Sequence, residues 1–126
     1  MDIALVGFGG CLGAIARYLI NKLLTTASTQ VAFPLGTLTV NIVGCFIIGV
    51  LAQIGESRIG LSPPARLLLI TGILGGFTTF SAFGNETVLL TRTDQLGAAL
   101  LNLGIHIVLG LGAVWLGRAV ASAFTK

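Results

Sequence analysis

Charged side chains are scarce in this chain: 7 Lys and Arg and 4 Asp and Glu among 126 residues, 9% of the total. Soluble domains carry about a quarter, and a water-facing surface of this size cannot be clothed with so few. With 55% hydrophobic residues and a mean hydropathy of +1.02, the composition excludes a water-soluble fold and places the chain in a membrane. The net charge of +3 comes from scattered basic residues with no cluster interleaved with aromatics, so nucleic acid is excluded as a partner. Cysteine is nearly absent too. Cys11 and Cys45 lie in apolar runs without CxxC or metal-like spacing, which suits small buried hydrophobes. No HExxH, paired carboxylates, Ser-His-Asp arrangement or GxxxxGK[ST] loop occurs, so the chain reads as a non-enzyme.

What is present is apolar length. A bilayer core about 30 Å thick needs about 20 mainly apolar residues per helix, and four segments qualify, at about 3–24, 35–55, 66–91 and 96–123. The expectation is an all-α membrane protein of one domain, residues 1–126, with four transmembrane helices. MDIALVGFGGCLGAIARYL has the look of a signal peptide, but it lacks a basic start and opens with Asp2, so it reads as a retained first span. Pro34 opens the second span and Ser62-Pro63-Pro64 precedes the third, where the missing N–H groups have no helical partner anyway. The short connector RTDQ at 92–95 makes spans three and four antiparallel neighbours.

An even number of spans puts both termini on one side, which collects Arg58, Arg66, Arg118 and Lys126; the other collects Lys22, Arg92 and Arg17. Four against three is a weak orientation bias, compatible either with a fixed topology or with insertion in both directions and an inverted pair. Gly9 with Gly13, and Gly72 with Gly76, supply GxxxG faces for close helix contact. Four helices are too few to enclose a generous pore, so homo-oligomerisation is expected.

The polar residues at depth carry the functional question. Residues 75–83 read GGFTTFSAF. Gly75-Gly76 followed by Thr78 and Thr79 is able to unwind, leaving carbonyls free for a hard cation, or to stay helical with a tightly packed glycine face. Phe77, Phe80 and Phe83 recur at every third residue, either as packing or as ring edges, positive by quadrupole, along an anion path. Asn41, in GTLTVN with Thr37 and Thr39, is interhelical glue or a donor to a dehydrating anion. Arg17 either snorkels to the interface or lends positive potential to a vestibule; Glu86 pairs with Arg17 or lines a path; His106 is a satisfied core residue or part of a polar route.

GGFTTFSAF on the third span, with GTLTVN on the second and GGCLGAIAR on the first, closely resembles the bacterial fluoride channel family over essentially the whole chain. The resemblance implies an antiparallel, dual-topology homodimer in the bacterial inner membrane, contacted by lipid, with the third helix broken mid-membrane. Two pathways at the dimer interface would passively release fluoride, which enters cells as HF and is trapped as the anion. By the same resemblance Phe80 and Phe83 line the pore with ring edges and Asn41 is the pore asparagine. Gly75 and Thr78 match positions whose backbone carbonyls hold a structural Na+ at the dimer centre. Ser81 and His106 match polar positions along the route, Arg17 one near the pore entrance, and Glu86 and Thr39 polar residues close to the track. Two departures stand out: Ala82 replaces a hydroxyl residue of the family's FSTF, and Gly110 stands where many members carry Ser. The rival reading is a small dual-topology, proton-coupled multidrug exporter, which needs a carboxylate deep in the membrane; the first span has none and Glu86 is the one span carboxylate. A non-transporting scaffold accounts less well for the composition of 75–83.

Overall fold

The computed structural model describes residues 1–27 and 33–125, and every regular element among them is helical. Helix α1 spans Asp2–Ala27 and α2 spans Leu35–Glu56. The third membrane segment is a composite: α3 (Pro63–Arg66), a π-helical stretch (Leu67–Leu74), the single turn α4 (Gly75–Phe77) and α5 (Phe80–Arg92). Helix α6 (Leu96–Phe124) completes the chain. Four segments, Asp2–Leu24, Leu35–Glu56, Pro63–Arg92 and Leu96–Phe124, are long and apolar enough to cross a membrane. Lys126, counted above for charge balance, lies outside the described residues.

The ends follow from local chemistry. Ser62 Oγ accepts the Ala65 N–H at 3.4 Å, and Pro63 and Pro64 occupy first-turn positions that need no donor. Between α5 and α6, Asp94 takes a left-handed conformation with φ 56°, and the Gln95 N–H returns to the Leu90 carbonyl at 2.9 Å. This closure engages the Leu90 carbonyl in the last turn of α5 and reverses the chain within the short connector. At one end of the bundle, Arg118 of α6 pairs with Glu56 of α2, and Arg66 Nη2 donates to the Gly55 carbonyl at 3.2 Å.

Helices pair where glycine lets backbones touch. Helix α1 packs along the π-helical stretch and α4, and α2 packs along α6. A Cβ on Gly9 would stand 2.6 Å from the Leu68 carbonyl oxygen, and one on Gly13 would run into the Ile73 carbonyl. From the opposite side, a Cβ on Gly76 would meet the Gly10 carbonyl, so the two GxxxG faces bear on each other. Lipid is as apolar as a leucine side chain, so backbone proximity and dispersion, rather than water exclusion, hold such pairs. Large apolar residues accordingly point outward, Trp115 and Leu111 among them, while fully buried Asn102 lies inside.

Candidate functional site

The site grows from the two residues between α4 and α5. Thr78 (φ −82°, ψ 157°) and Thr79 (φ −152°, ψ 112°) have extended backbones between helical neighbours. In an uninterrupted helix the Thr79 N–H would bond the Gly75 carbonyl; here it donates to Asn41 Oδ1 at 2.9 Å. Asn41 Nδ2 in turn donates to the Thr79 carbonyl at 3.2 Å, so one side-chain amide from α2 satisfies both ends of that residue's backbone. The Thr79 hydroxyl accepts the Ala82 N–H at 3.2 Å, capping α5, and shares a hydrogen bond with Ser81 Oγ at 3.1 Å. Thr78 secures the other side, with its N–H and its hydroxyl both donating to the Leu74 carbonyl, at 3.0 and 2.9 Å. Its methyl fits over Gly44, where a Cβ would collide with it.

Arg17 of α1 reaches this place, with Nη1 donating to the Thr78 carbonyl at 3.5 Å, the outer edge of hydrogen bonding. It does not pair with Glu86. Glu86 Oε1 instead accepts from the Thr37 hydroxyl at 2.6 Å. The Arg17–Glu86 alternative is thereby corrected: the two side chains serve different helices, α1 to the Thr78 peptide and α5 to α2.

Below the clasped peptide runs a row of rings. Phe80 and Phe83 have centroids 5.5 Å apart at 57°, and Phe83 lies 4.3 Å from His106 at 40°. Phe83 is buried, whereas Phe80 is 82% exposed and projects away from its own chain. His106 Nδ1 bonds the Asn102 carbonyl at 3.0 Å; since a backbone carbonyl only accepts, Nδ1 carries the hydrogen. Asn102 Nδ2 donates to Thr87 Oγ1 at 2.9 Å, and Thr87 Oγ1 donates to the Phe83 carbonyl at 2.8 Å. Beside these groups is a cleft of about 510 Å³ bounded by Asn41, Thr78, Phe80, Phe83, His106 and Gly110.

Asn41, Ser81, Phe80, Phe83, His106 and the Thr78 and Gly75 peptides thus come together, with Arg17 at the edge and Glu86 one turn beyond Phe83. Thr39 does not join them; half-buried and two residues from both Thr37 and Asn41, it points elsewhere on α2 and shares no hydrogen bond with the set among the described residues. Phe77 is buried within the chain. Sequence reasoning missed Asn102 and Thr87, and treated Thr37 only as a neighbour of Asn41. The available signal was the spacing of Asn102 and His106, two polar residues four apart on one face of an otherwise apolar helix. Glu86 Oε2, Asn102 Oδ1 and His106 Nε2 are buried without partners among the described residues, an uncommon concentration of unsatisfied polar atoms.

No group of three or more His, Cys, Asp and Glu able to hold a metal occurs among the described residues. The oxygens at this place are the Thr78, Thr79 and Ser81 hydroxyls, the Asn41 amide oxygen and backbone carbonyls. The Gly75 carbonyl would suit a cation because its helical donor is engaged by Asn41; the Thr78 carbonyl, at the extended turn, has only the long Arg17 contact among the described residues.

A sequence profile of the family described as CrcB-like protein, Camphor Resistance (CrcB), matches residues 4–118. The fluoride-specific ion channel FluC of Methylobacillus flagellatus is 46% identical over 116 residues, covering 92% of this chain and 91% of that one. Proteins of the same name from Nitratidesulfovibrio vulgaris and Elusimicrobium minutum are 44% and 43% identical, over 91% and 95% of this chain and 92% and 93% of theirs.

Proposed function

The chain belongs to the CrcB-like family, and on that premise we propose that it is a fluoride-selective channel that passively exports fluoride from the cell. The observation that carries the reading is identity of 46% over nine-tenths of the chain to a protein named for that activity. Fluoride accumulates inside because HF crosses lipid and then ionises. A membrane potential negative inside drives the anion out with about 2.3 kcal/mol per 100 mV, so no coupled energy source is needed.

Phe80 and Phe83 would meet fluoride with ring edges, which attract an anion weakly enough to let it leave. Asn41 has one Nδ2 hydrogen left after bonding Thr79 and would offer it to the dehydrating ion, with Ser81 and His106 further along, Arg17 at the entrance and Glu86 near the track. The active form is an antiparallel dual-topology homodimer in the inner membrane, two pathways at its interface and the break at Thr78-Thr79 mid-membrane. The 82% exposure of Phe80 and the open cleft beside it support a second copy as the missing wall. Na+ would sit at the dimer centre on the Gly75 and Thr78 carbonyls of both copies, supplying a fixed positive charge and holding the two breaks together.

The test is efflux from proteoliposomes loaded with fluoride and, in parallel, with chloride. Fluoride release without chloride release, lost in Phe80→Ile, is the expected result. Release that survives Phe80→Ile removes that ring from the pathway. Silence from intact dimers overturns the channel reading and turns attention to proton-coupled drug export through Glu86.

A further inference from the structure

Phe83 is held from two directions, and both lead to Asn102. The Phe83 carbonyl accepts the Thr87 hydroxyl at 2.8 Å, and Thr87 Oγ1 accepts Asn102 Nδ2 at 2.9 Å. The Phe83 ring lies against His106 with centroids 4.3 Å apart, and His106 Nδ1 is tied to the Asn102 carbonyl at 3.0 Å. The orientation of Asn102 follows from the supply of hydrogens. Thr87 has one hydroxyl hydrogen, which goes to Phe83, so its oxygen is left to accept and the amide end of Asn102 must face it.

That orientation has a consequence for Asn102 itself. The residue is 0% exposed, and with Nδ2 turned to Thr87 its Oδ1 is buried without a partner among the described residues. A leucine would fill the same space and leave no acceptor unsatisfied, so packing alone does not account for an amide here.

We infer that Asn102 is a positioning residue of the proposed pathway, fixing the orientation of Phe83 through Thr87 on the backbone side and His106 on the ring side. The inference rests on the reading that Phe83 offers its edge to the anion. Edge and face of a phenyl ring carry opposite partial charge, so a ring released to rotate presents fluoride with a repulsive surface part of the time. The His106 half, anchored on the Asn102 main-chain carbonyl, survives any side chain at this position; the Thr87 half, anchored on the Asn102 amide, does not. Asn102→Leu and the isosteric Thr87→Val each break that half, and Thr87→Ser keeps it.

The experiment compares these variants with wild type in two readouts: fluoride and chloride efflux per intact dimer, and fluorine NMR of chains carrying 3-fluorophenylalanine in place of Phe83. Expected for Asn102→Leu and Thr87→Val is a fluoride rate lower by about tenfold or more, as when a positioned group shifts by a fraction of an ångström, a reduced fluoride-to-chloride ratio, and a split or broadened fluorine signal. Thr87→Ser restores all three toward wild type. Lower dimer stability with an unchanged signal and ratio would show Asn102 to be packing only and overturn the inference. If Asn102→Leu fails to assemble, Thr87→Val decides. Should wild type itself release no fluoride, the channel reading fails, while the fluorine signals still report whether Asn102 orders the ring.

Discussion

Asn41 and Thr79 form a closed two-bond ring across helices: Oδ1 takes the Thr79 N–H at 2.9 Å and Nδ2 gives to its carbonyl at 3.2 Å. A carboxamide, the side-chain group of asparagine and glutamine, offers a donor and an acceptor at this spacing. Asn41→Leu strands both peptide groups and Asn41→Asp strands the carbonyl, each lost partner destabilising by about 1–3 kcal/mol. Thermal unfolding in detergent should therefore rank wild type above Asn41→Asp above Asn41→Leu. Equal melting of all three would mean that the clasp contributes nothing.

The contact of α1 with the third segment is predicted to fail at single methyl groups. Gly13→Ala and Gly76→Ala place a Cβ against the Ile73 and Gly10 carbonyls, backbone atoms that cannot swing aside. Overpacking of this kind costs about 1–3 kcal/mol. Gly7→Ala, with nothing within 4 Å of the added methyl, is the control and should leave stability unchanged or slightly raised through helix propensity. Chemical unfolding of the purified protein reads the difference.

Thr37 and Glu86 are joined at 2.6 Å, a short bond to a carboxylate oxygen from a neighbouring helix. Thr37→Val removes the donor with little change of shape, and a loss of about 1–3 kcal/mol is expected, as when a buried acceptor loses its partner. Thr37→Ser keeps the hydroxyl and should recover most of it. In a Glu86→Leu background the Thr37→Val cost should shrink, which a double-mutant cycle measures directly.

Withdrawal of sodium tests the proposed central cation. Protein purified and reconstituted with N-methylglucamine as the only external cation is expected to release fluoride more slowly and to dissociate more readily, with both properties restored by added Na+. Identical rates and dimer stability without Na+ would remove the cation from the proposal.

Much of the architecture is legible in the residues because lipid imposes strong rules. Apolar runs long enough to span, Pro34 and Ser62-Pro63-Pro64 at their starts and the short connector at 92–95 mark the four segments. The glycine faces are legible for the same reason, since small residues four apart have few other uses at depth. The widened π-helical register over Leu67–Leu74 is not, because nothing in LLLITGIL distinguishes it from an ordinary helix. Arg17 and Glu86 illustrate a second limit: opposite charges at depth invite pairing, yet the Thr78 carbonyl and the Thr37 hydroxyl lie nearer in the packed bundle. Asn102 and Thr87 went unread because a polar residue at depth says that a partner exists without saying which, and the two lie on different helices.

The clasp between Asn41 and Thr79 also bears on how the chain is made. Residues leave the ribosome in order, so Asn41 enters the bilayer before the extended Thr78-Thr79 backbone is synthesised. A helix interrupted by two extended residues is a poor candidate for partitioning into lipid alone, since each unpaired peptide group there costs several kcal/mol. The second span would supply the missing partner ahead of need and so act as an intramolecular chaperone for the insertion of the third. A circular permutant that emits residues 63–92 first would lack that help and should lag in membrane integration, even though its finished contacts are the same.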